Sequence, residues 1–286
     1  MAIDWHELPT PPALPGLFLK AALRRKVTGR TLPDFGLRSQ VSVDPRHLAR
    51  YRQLCAVADD GCLPPAYPHL LAFPLQMQLL TDPRFPFPLL GLVHLENRVR
   101  VLRPLGGLGP FRVGVRLADL QPHAKGAVFS LITSLEDQLG LLWEGDSRLL
   151  CRAVRLDGSP AEAPQEEALP LTPLDDWSVP ANIGRRYARV SGDFNPIHLS
   201  PLSARLFGFP RAIAHGLWSK GRALGALAGH LPRTGYEVAV RFQKPVLLPA
   251  HVGLLASAPG ERGQFRLEGG QDIVHMSGSW QPLAQI

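Results

Sequence analysis

The sequence predicts an α+β fold built from two similar halves, each with one long apolar helix followed by antiparallel strands. The first observation is an internal similarity: VDPRHLARYRQLCA, which begins at Val43, resembles VPANIGRRYARVSG, which begins at Val179. Tyr51 and Tyr187 match at the same offset of 136 residues, so the repeat has the size of a domain. The other two observations are an apolar run with helical spacing after each copy, and moderate alternation of apolar and polar residues after each run.

The first half begins with a proline-rich segment, residues 1–40, that contains a short amphipathic piece from Leu17 to Lys26. We expect this segment to be an arm packed on the body of the protein. After the first copy of the repeat, PHLLAFPLQMQLL predicts a helix over Pro68–Leu80. The strands predicted after this helix are Val93–Pro104, Phe111–Ala118, Gly126–Leu135 and Leu139–Val154.

The second half repeats this order with an apolar run from Ile213 to Leu231, whose leucines recur at helical spacing. Gly221 and Gly225 would each cost an exposed helix about 1 kcal/mol relative to alanine, so they predict a helix that the sheet wraps closely. The strands predicted after it are Tyr236–Pro249, Val252–Ala258, Gln264–Glu268 and Ile273–Gln281. Polar residues alternate with apolar ones along the strands of both halves, which indicates antiparallel sheets with one solvent-exposed face.

The domain organisation follows from the repeat. Asp157 to Pro173 is rich in proline, alanine and glutamate, which is typical of a linker. The sequence therefore predicts an N-terminal arm and a first domain over 1–156, a linker over 157–173, and a second domain over 174–286. A chain of 286 residues with 45% hydrophobic content is large enough for one large or two ordinary cores.

The charge and composition narrow the class of protein. The net charge of +7 is spread along the chain, and no basic helix, RNA-binding aromatic motif or zinc-finger spacing accompanies it, so nucleic-acid binding is not expected. Diffuse positive charge suits an anionic ligand. No apolar stretch reaches the roughly 18 residues of a membrane span, and the start lacks a signal-peptide pattern, so we expect no membrane association. Three scattered cysteines without CxxC suit a reducing compartment, and we expect a soluble cytoplasmic protein.

The stretch from Tyr187 to Gly221 concentrates acid, amide, imidazole and helix-start residues. Pro196 disfavours helical backbone at Asn195, so a turn is expected between Asp193 and His198. A carboxylate and an imidazole brought together by this turn could hold and activate one water molecule. The plainer alternative is that Ser-Gly-Asp forms only a turn or a helix cap.

Two further residues follow at the start of the apolar run. An unpaired backbone N–H of Gly216, at the positive end of a helix, could polarise a carbonyl oxygen. His215 could instead be a satisfied core histidine. Asp193, His198 and His215 could also form a two-histidine, one-carboxylate metal site, but the spacing is not of the HExxH type, and we expect no metal.

The whole motif, YxxxSGDxNPIHxxxxxAxxxGFxxxIAHGL, resembles the signature of MaoC-like dehydratases, the (R)-specific enoyl-CoA hydratase or hydratase 2 family. The resemblance covers about 35 contiguous residues. It implies that Asp193 and His198 activate the water added to a trans-2-enoyl thioester, that Gly216 offers its N–H to the thioester oxygen, and that Asn195 braces the catalytic loop. Many members carry a serine eight residues after this glycine, where this chain has Leu224, so any role of that serine is absent or moved.

The resemblance also implies a double-hotdog fold, with a degenerate hotdog domain in the first half and a catalytic one in the second. It implies a hydro-lyase that converts trans-2-enoyl-CoA reversibly to (R)-3-hydroxyacyl-CoA without a cofactor. A 3-hydroxyacyl-carrier-protein dehydratase shares every one of these residues, so acyl-CoA and an acyl carrier protein both stay open as partners. A hotdog thioesterase or a non-catalytic acyl-CoA-binding module is a weaker alternative, and homodimerisation of the whole chain stays open.

The two copies of the repeat differ where the catalytic loop lies. Shortly after Ala56, from Ala58 onward, the first copy reads ADDGCLPPAYPH, so Asp59 and Asp60 are followed by Pro64 and Pro65, with no imidazole at the matching distance. We therefore expect one active site per chain, built mainly by the second half. The missing loop would leave room over the first helix for medium or long acyl groups.

Overall fold

The structure is a computed structural model that describes residues 3–159 and 167–284. Its strands are β1 (Asp4–Leu8), β2 (Phe35–Val41), β3 (Val93–Val101), β4 (Phe111–His123), β5 (Gly126–Asp137), β6 (Gly140–Cys151), β7 (Thr172–Val179), β8 (Tyr236–Phe242), β9 (Ala250–Ala256), β10 (Gly263–Glu268) and β11 (Val274–Pro282). Its α-helices are α1 (Leu14–Leu23), α2 (Pro45–Cys55), α3 (Pro68–Leu80), α4 (Ile183–Ser191), α5 (Pro201–Arg205) and α6 (Gly216–Ala226).

The strands form one 11-stranded sheet in the order β1-β2-β4-β5-β6-β3-β8-β11-β10-β9-β7. From the central β3–β8 pair outward, each half places its five strands in the same order, and β1 is added at the edge of the first half. The central pair is antiparallel, with Val99 opposite Val238. The predicted α+β double-hotdog fold is confirmed, with the two halves joined edge to edge.

Most strand predictions for the interior of each half agree with the structure to within three residues, but β8 ends at Phe242 and not at Pro249, and β4 continues past Ala118 to His123. The N-terminal segment is different, because the expectation of an arm packed on the body is wrong for β1 and β2. These strands extend the sheet itself, β1 parallel to β2 and β2 antiparallel to β4. A side chain at Gly36 would overlap the Trp5 ring, so this glycine lets the indole lie flat on β2.

The predicted linker is shorter than the sequence indicates. Strand β7 begins at Thr172, inside the segment 157–173, because Thr172 and Pro173 already pair with Ala256 and Leu255 of β9. Residues 160–166 of this segment lie outside the described residues. The division into domains at 1–156 and 174–286 stays a prediction.

The two long helices differ in how well the apolar pattern marks their ends. Helix α3 spans Pro68–Leu80, as predicted. Helix α6 is shorter than the apolar run, because His215 is extended, with φ −66° and ψ 135°. The residues before it are tied to the segment that follows β8: the N–H of Ala214 donates to the carbonyl of Val246 at 2.9 Å. This leaves Gly216 as the first residue of α6.

The glycines of α6 face a helix, and the expectation that the sheet wraps them closely is wrong. A Cβ at Gly221 would lie 2.5 Å from the Tyr51 hydroxyl, and one at Gly225 would lie 3.0 Å from the carbonyl oxygen of Cys55. The Trp218 indole also donates to the carbonyl of Leu54 at 3.1 Å. Helix α2 of the first half therefore crosses α6 at close range, which is why small residues are required there.

Candidate active site

The loop after α4 is shaped by its own backbone. Gly192 ends the helix in a left-handed conformation, with φ 77°. Asn195 has φ −56° and ψ 125°, as the following proline requires, and a 3-10 helix covers Pro196–His198. The Asn195 side chain accepts from the N–H of Ile197, while its own N–H donates to Asp193 Oδ1 at 3.1 Å. The turn predicted between Asp193 and His198 therefore forms.

This turn brings Asp193 and His198 to the start of α6, beside His215. One side-chain oxygen of Asp193 and one ring nitrogen of each histidine all lie within 4.8 Å of one another. The Asp193 side chain is 32% exposed, whereas His198 is 8% exposed. The carboxylate thus faces an opening, and the imidazole lies behind it.

The His198 ring has a defined tautomer. Its Nδ1 lies 2.8 Å from the carbonyl oxygen of Ile213, which can only accept, so Nδ1 carries the hydrogen and Nε2 carries the lone pair. Burial lowers the pKa of His198 below its usual value of 6.5, against a smaller raising effect of the Asp193 charge. His198 is therefore a neutral base near pH 7.

His215 is both a core residue and a neighbour of Asp193 and His198. Its Nε2 donates to the backbone carbonyl of Asp193 at 3.0 Å, and its ring packs against Tyr187 at 4.9 Å between centroids. Burial and the adjacent His198 hold its pKa well below 6.5. The 3.7 Å approach of its Nε2 to Asp193 Oδ2 is therefore a contact between a neutral ring and a carboxylate, and not an ion pair.

Gly216 occupies the first position of α6, where the backbone N–H has no acceptor within the helix. The phenyl ring of Phe242 lies against its Cα, so that a Cβ at this position would come within 2.9 Å of the ring. A glycine is needed for this contact. This N–H and the positive end of the helix can act on a carbonyl oxygen placed beside Asp193.

The opposite side of the opening comes from the first half. Phe73 of α3 approaches the catalytic loop, since a Cβ at Gly192 would lie 3.4 Å from its ring. Phe18 of α1 packs against Phe73 and against Phe194, each at 6.5 Å between ring centroids. The N-terminal segment and α3 thus contribute aromatic surface beside Asp193, a contribution that the sequence analysis did not identify.

A buried polar side chain that the motif did not indicate lies at the seam, where α6 of the second half contacts β3 of the first half. Lys220 of α6 is 0% exposed and donates to the side-chain and backbone oxygens of Asn97 in β3, at 2.6 and 3.2 Å. Burial lowers its pKa to about 7. Asn97 in turn donates to the Ser147 hydroxyl at 3.0 Å. The only sequence signal was a lysine inside an apolar run, which periodicity alone assigns to a solvated face.

Asp193, His198 and His215 also lie close enough together to be possible ligands of a metal ion. His215, however, has its Nε2–H bonded to the backbone carbonyl of Asp193, so Nδ1 is its remaining nitrogen lone pair. That Nδ1 is buried, which leaves His198 as the imidazole of the group whose lone pair can serve a ligand. This arrangement favours a water molecule over an ion.

A groove of about 460 Å³ opens elsewhere on the molecule, between α2 and the loops around residues 57–63 and 107–108. It includes Asp59, whose carboxylate pairs with the buried Arg52, and its lining contains none of the predicted site residues. Asp59 and Asp60 also accept from the backbone N–H groups of Gly61 and Cys62. These two carboxylates therefore stabilise a turn.

The fold and the site together define a double-hotdog protein with a carboxylate and a histidine at the start of the second central helix. The comparison with known proteins agrees: residues 159–274 match the MaoC like domain. The chain is 35% identical over 258 residues to 3-hydroxyacyl-thioester dehydratase X of Mycobacterium tuberculosis, covering 88% of this chain and 91% of that protein. This chain belongs to the MaoC-like dehydratase family.

Other relatives fit the same assignment. The peroxisomal enoyl-CoA hydratase 2 of Arabidopsis thaliana is 32% identical over 158 residues, which cover 48% of each protein. The crystal structure of HtdX of Mycobacterium tuberculosis superposes with a TM-score of 0.76 at 29% identity, covering 87% of this chain and 100% of that one. A MaoC-like dehydratase from Phytophthora capsici, at 22% identity and a TM-score of 0.73, shares the fold. No helix in the described part of the chain is long and apolar enough to cross a membrane.

Proposed function

We propose that this chain is a hydro-lyase that catalyses the reversible hydration of a trans-2-enoyl thioester to the (R)-3-hydroxyacyl thioester. The observation that carries the proposal is the convergence of Asp193, His198 and the start of α6 at one opening. The names of the relatives support it, because they are 3-hydroxyacyl-thioester dehydratases and enoyl-CoA hydratases.

In the hydration direction, Asp193 and His198 hold one water molecule. The Asp193 carboxylate accepts one of its hydrogens, and the other points to the lone pair on His198 Nε2. As the water oxygen bonds to C3, His198 takes the proton and becomes an imidazolium. The carboxylate beside it stabilises that charge while it exists.

The electrons displaced from the C2–C3 double bond move onto the thioester oxygen. The N–H of Gly216 and the positive end of α6 stabilise this enolate-like charge. The proton held by the pair is then returned to C2, which restores the carbonyl and regenerates His198 as a neutral base. Dehydration is the same sequence in reverse. Asn195 supports the pair because its two hydrogen bonds within the loop fix the turn. His215 supports the pair by donating to the backbone carbonyl of Asp193.

We assign one site to each chain. The second half supplies the acid, the base and the oxyanion donor, while the first half supplies the aromatic surface of Phe18 and Phe73. That surface suits an apolar acyl chain of medium or long length. The carboxylates of Asp59 and Asp60 are engaged with Arg52 and with backbone N–H groups, which supports the view that the first half has no second site.

The thioester carrier is coenzyme A in this proposal, and an acyl carrier protein is the alternative, because relatives of both kinds occur. A thioesterase is disfavoured: the run Ile213–His230 contains no aspartate or glutamate to serve on the central helix. The thioesterases among the structural neighbours share 10–13% identity, so they share the fold alone. A non-catalytic acyl-binding role would leave the intact Asp193–His198 arrangement without a purpose.

The test follows the loss of enoyl absorbance with trans-2-enoyl thioesters of coenzyme A and of a carrier protein, over several chain lengths. The product enantiomer is identified by chiral chromatography. We expect hydration with an (R) product and a preference for one carrier. An (S) product, or hydrolysis of the thioester without hydration, would contradict the assignment. Light scattering on the same sample tests whether the whole chain forms a homodimer.

A further inference from the structure

The face of α3 that meets the catalytic loop carries a histidine as well as Phe73. His69, Phe73 and Gln76 lie at spacings of four and three residues, so they share one face of the helix. Phe73 lies against Gly192, the residue before Asp193. His69, one turn earlier on the same face, therefore points towards the acid end of the site, and the Asp193 charge acts on its pKa.

His69 is held in one orientation and one tautomer. Gln76 Nε2 donates to His69 Nδ1 at 3.3 Å and to the Thr133 hydroxyl at 2.9 Å. Because Nδ1 accepts this bond, the hydrogen of the neutral ring is on Nε2. Burial is the largest cause that lowers the pKa of His69 to about 3; the neighbouring His94 and Lys220 act in the same direction and Asp193 against it, so the ring stays neutral.

The Nε2–H of His69 has no acceptor among the described residues, and its side chain is partly accessible. The repeat explains why this donor is free. His69 aligns with His215 in the sequence repeat, although His69 is the second residue of α3 and His215 precedes α6, where its Nε2 is satisfied by the backbone carbonyl of Asp193. The first half lacks the equivalent loop, so the matching imidazole has no such carbonyl over it. A donor of fixed direction thus faces the opening.

We propose that His69 is a catalytic residue of the first half, whose Nε2–H donates to the oxygen on C3 of the acyl thioester. This inference rests on the proposed function, since Asp193 and His198 place the water oxygen that becomes the C3 hydroxyl. That oxygen lies between Asp193 and the facing wall. Asp193 and His198 accept its hydrogens, and His69 donates to one of its lone pairs. A neutral donor suits this position because it does not compete for the proton that His198 transfers.

The experiment measures binding, so that it does not depend on turnover. The probes are hexanoyl-CoA, 3-oxohexanoyl-CoA and 5-oxohexanoyl-CoA, titrated into the wild type and into His69→Phe, His69→Ala and His69→Gln. We expect His69→Phe and His69→Ala to weaken binding of the 3-oxo ligand by about tenfold, the effect of one hydrogen bond, with less than a twofold change for the other two. His69→Gln keeps an amide donor near the Nε2 position and should recover most of the loss.

His94→Phe is the matched control. His94 is a neighbouring imidazole whose ring packs on Phe242 at 5.1 Å, and its Nε2 is buried, so its substitution should not change the preference for the 3-oxo ligand. Circular dichroism establishes that each variant is folded. If neither His69→Phe nor His69→Ala folds, His69→Asn carries the test, because it keeps a polar atom near Nδ1 for Gln76 and removes the Nε2 donor.

An equal loss for all three ligands would show a structural role and overturn the inference, as would an unchanged preference in His69→Phe and His69→Ala. Loss of the 3-oxo preference in His69→Gln together with its retention in His69→Ala would also overturn it. Failure of the proposed function is separate: in that case the wild type hydrates no enoyl thioester, whatever the ligand titrations show.

Discussion

The imidazole rings of His198 and His215 stack with their centroids 3.6 Å apart and their planes 24° apart. Both rings are buried, so a positive charge on both at once is strongly disfavoured. His215 is held neutral by burial and by His198, and it gives its N–H to the Asp193 backbone. In the proposed mechanism this leaves His198 as the ring that gains and loses a proton.

Asp193→Asn and His198→Ala should each reduce kcat by about 10²–10⁴-fold, the usual contribution of a general acid or base. Both groups act on the same water molecule, so the double variant should be little worse than either single variant. Steady-state hydration rates check this, with thermal melts to show that the fold is intact. Near-normal turnover in either single variant would show that these residues are not the catalytic pair.

The acidic limb in the pH profile of kcat/KM should have its midpoint below pH 6.5. His198 must be neutral to accept the proton, and its pKa is lowered from 6.5, so activity is present above the lowered pKa and is lost as pH falls through it. Rates are measured with buffers of constant ionic strength. An acidic limb with its midpoint above pH 6.5 would contradict the burial of His198 as the dominant influence.

Gly184→Ala should disable the site without touching a reacting group. A Cβ at Gly184 would overlap the carbonyl oxygen of His198, so the 3-10 helix must move away from α4. We expect a loss of activity of at least tenfold and a destabilisation of about 1–3 kcal/mol, as for other overpacked positions. Gly16→Ala is the control, because nothing lies within 4 Å of its Cβ and alanine favours the helix there. Normal rates in Gly184→Ala would refute this account of the loop.

Titration of Asp193→Asn with a trans-2-enoyl-CoA should give one binding site per chain. The double variant Asp59→Asn and Asp60→Asn should keep its activity, because these carboxylates form turns and contact Arg52. It should lose stability, since a largely buried arginine loses its partners, and a thermal melt measures that loss. Two equivalent sites per chain, or an inactive Asp59 and Asp60 variant, would show that the halves have been assigned the wrong way round.

Chelation should leave the activity unchanged. His215 has its Nε2 bonded to the Asp193 carbonyl and its Nδ1 buried, so His215 has no accessible lone pair to offer an ion beside His198. Exhaustive dialysis against a chelator, with metal analysis of the sample before and after, measures this. Activity that is lost on chelation and restored by a divalent ion would favour the metal-site interpretation of Asp193, His198 and His215.

Prediction from the sequence succeeded where local chemistry decides the structure. The proline after Asn195 sets a turn, and the apolar run of α3 gives its ends at Pro68 and Leu80. It failed where the contact partner is distant in sequence. Gly221 and Gly225 contact α2, and Lys220 contacts Asn97 across the seam. The periodicity of α6 identifies neither partner. The side chains of α3 that face the catalytic loop were missed for the same reason.

The central β3–β8 pair holds together two halves that belong to one polypeptide, so their association is intramolecular and does not depend on protein concentration. In a dimer of identical chains, any change made to one copy of the catalytic loop is made to the other as well. A tandem arrangement removes that constraint, so one copy could give up its loop while the other kept it. The asymmetry between His69 and His215, two imidazoles that align in the sequence repeat and have different partners, is what such freedom permits.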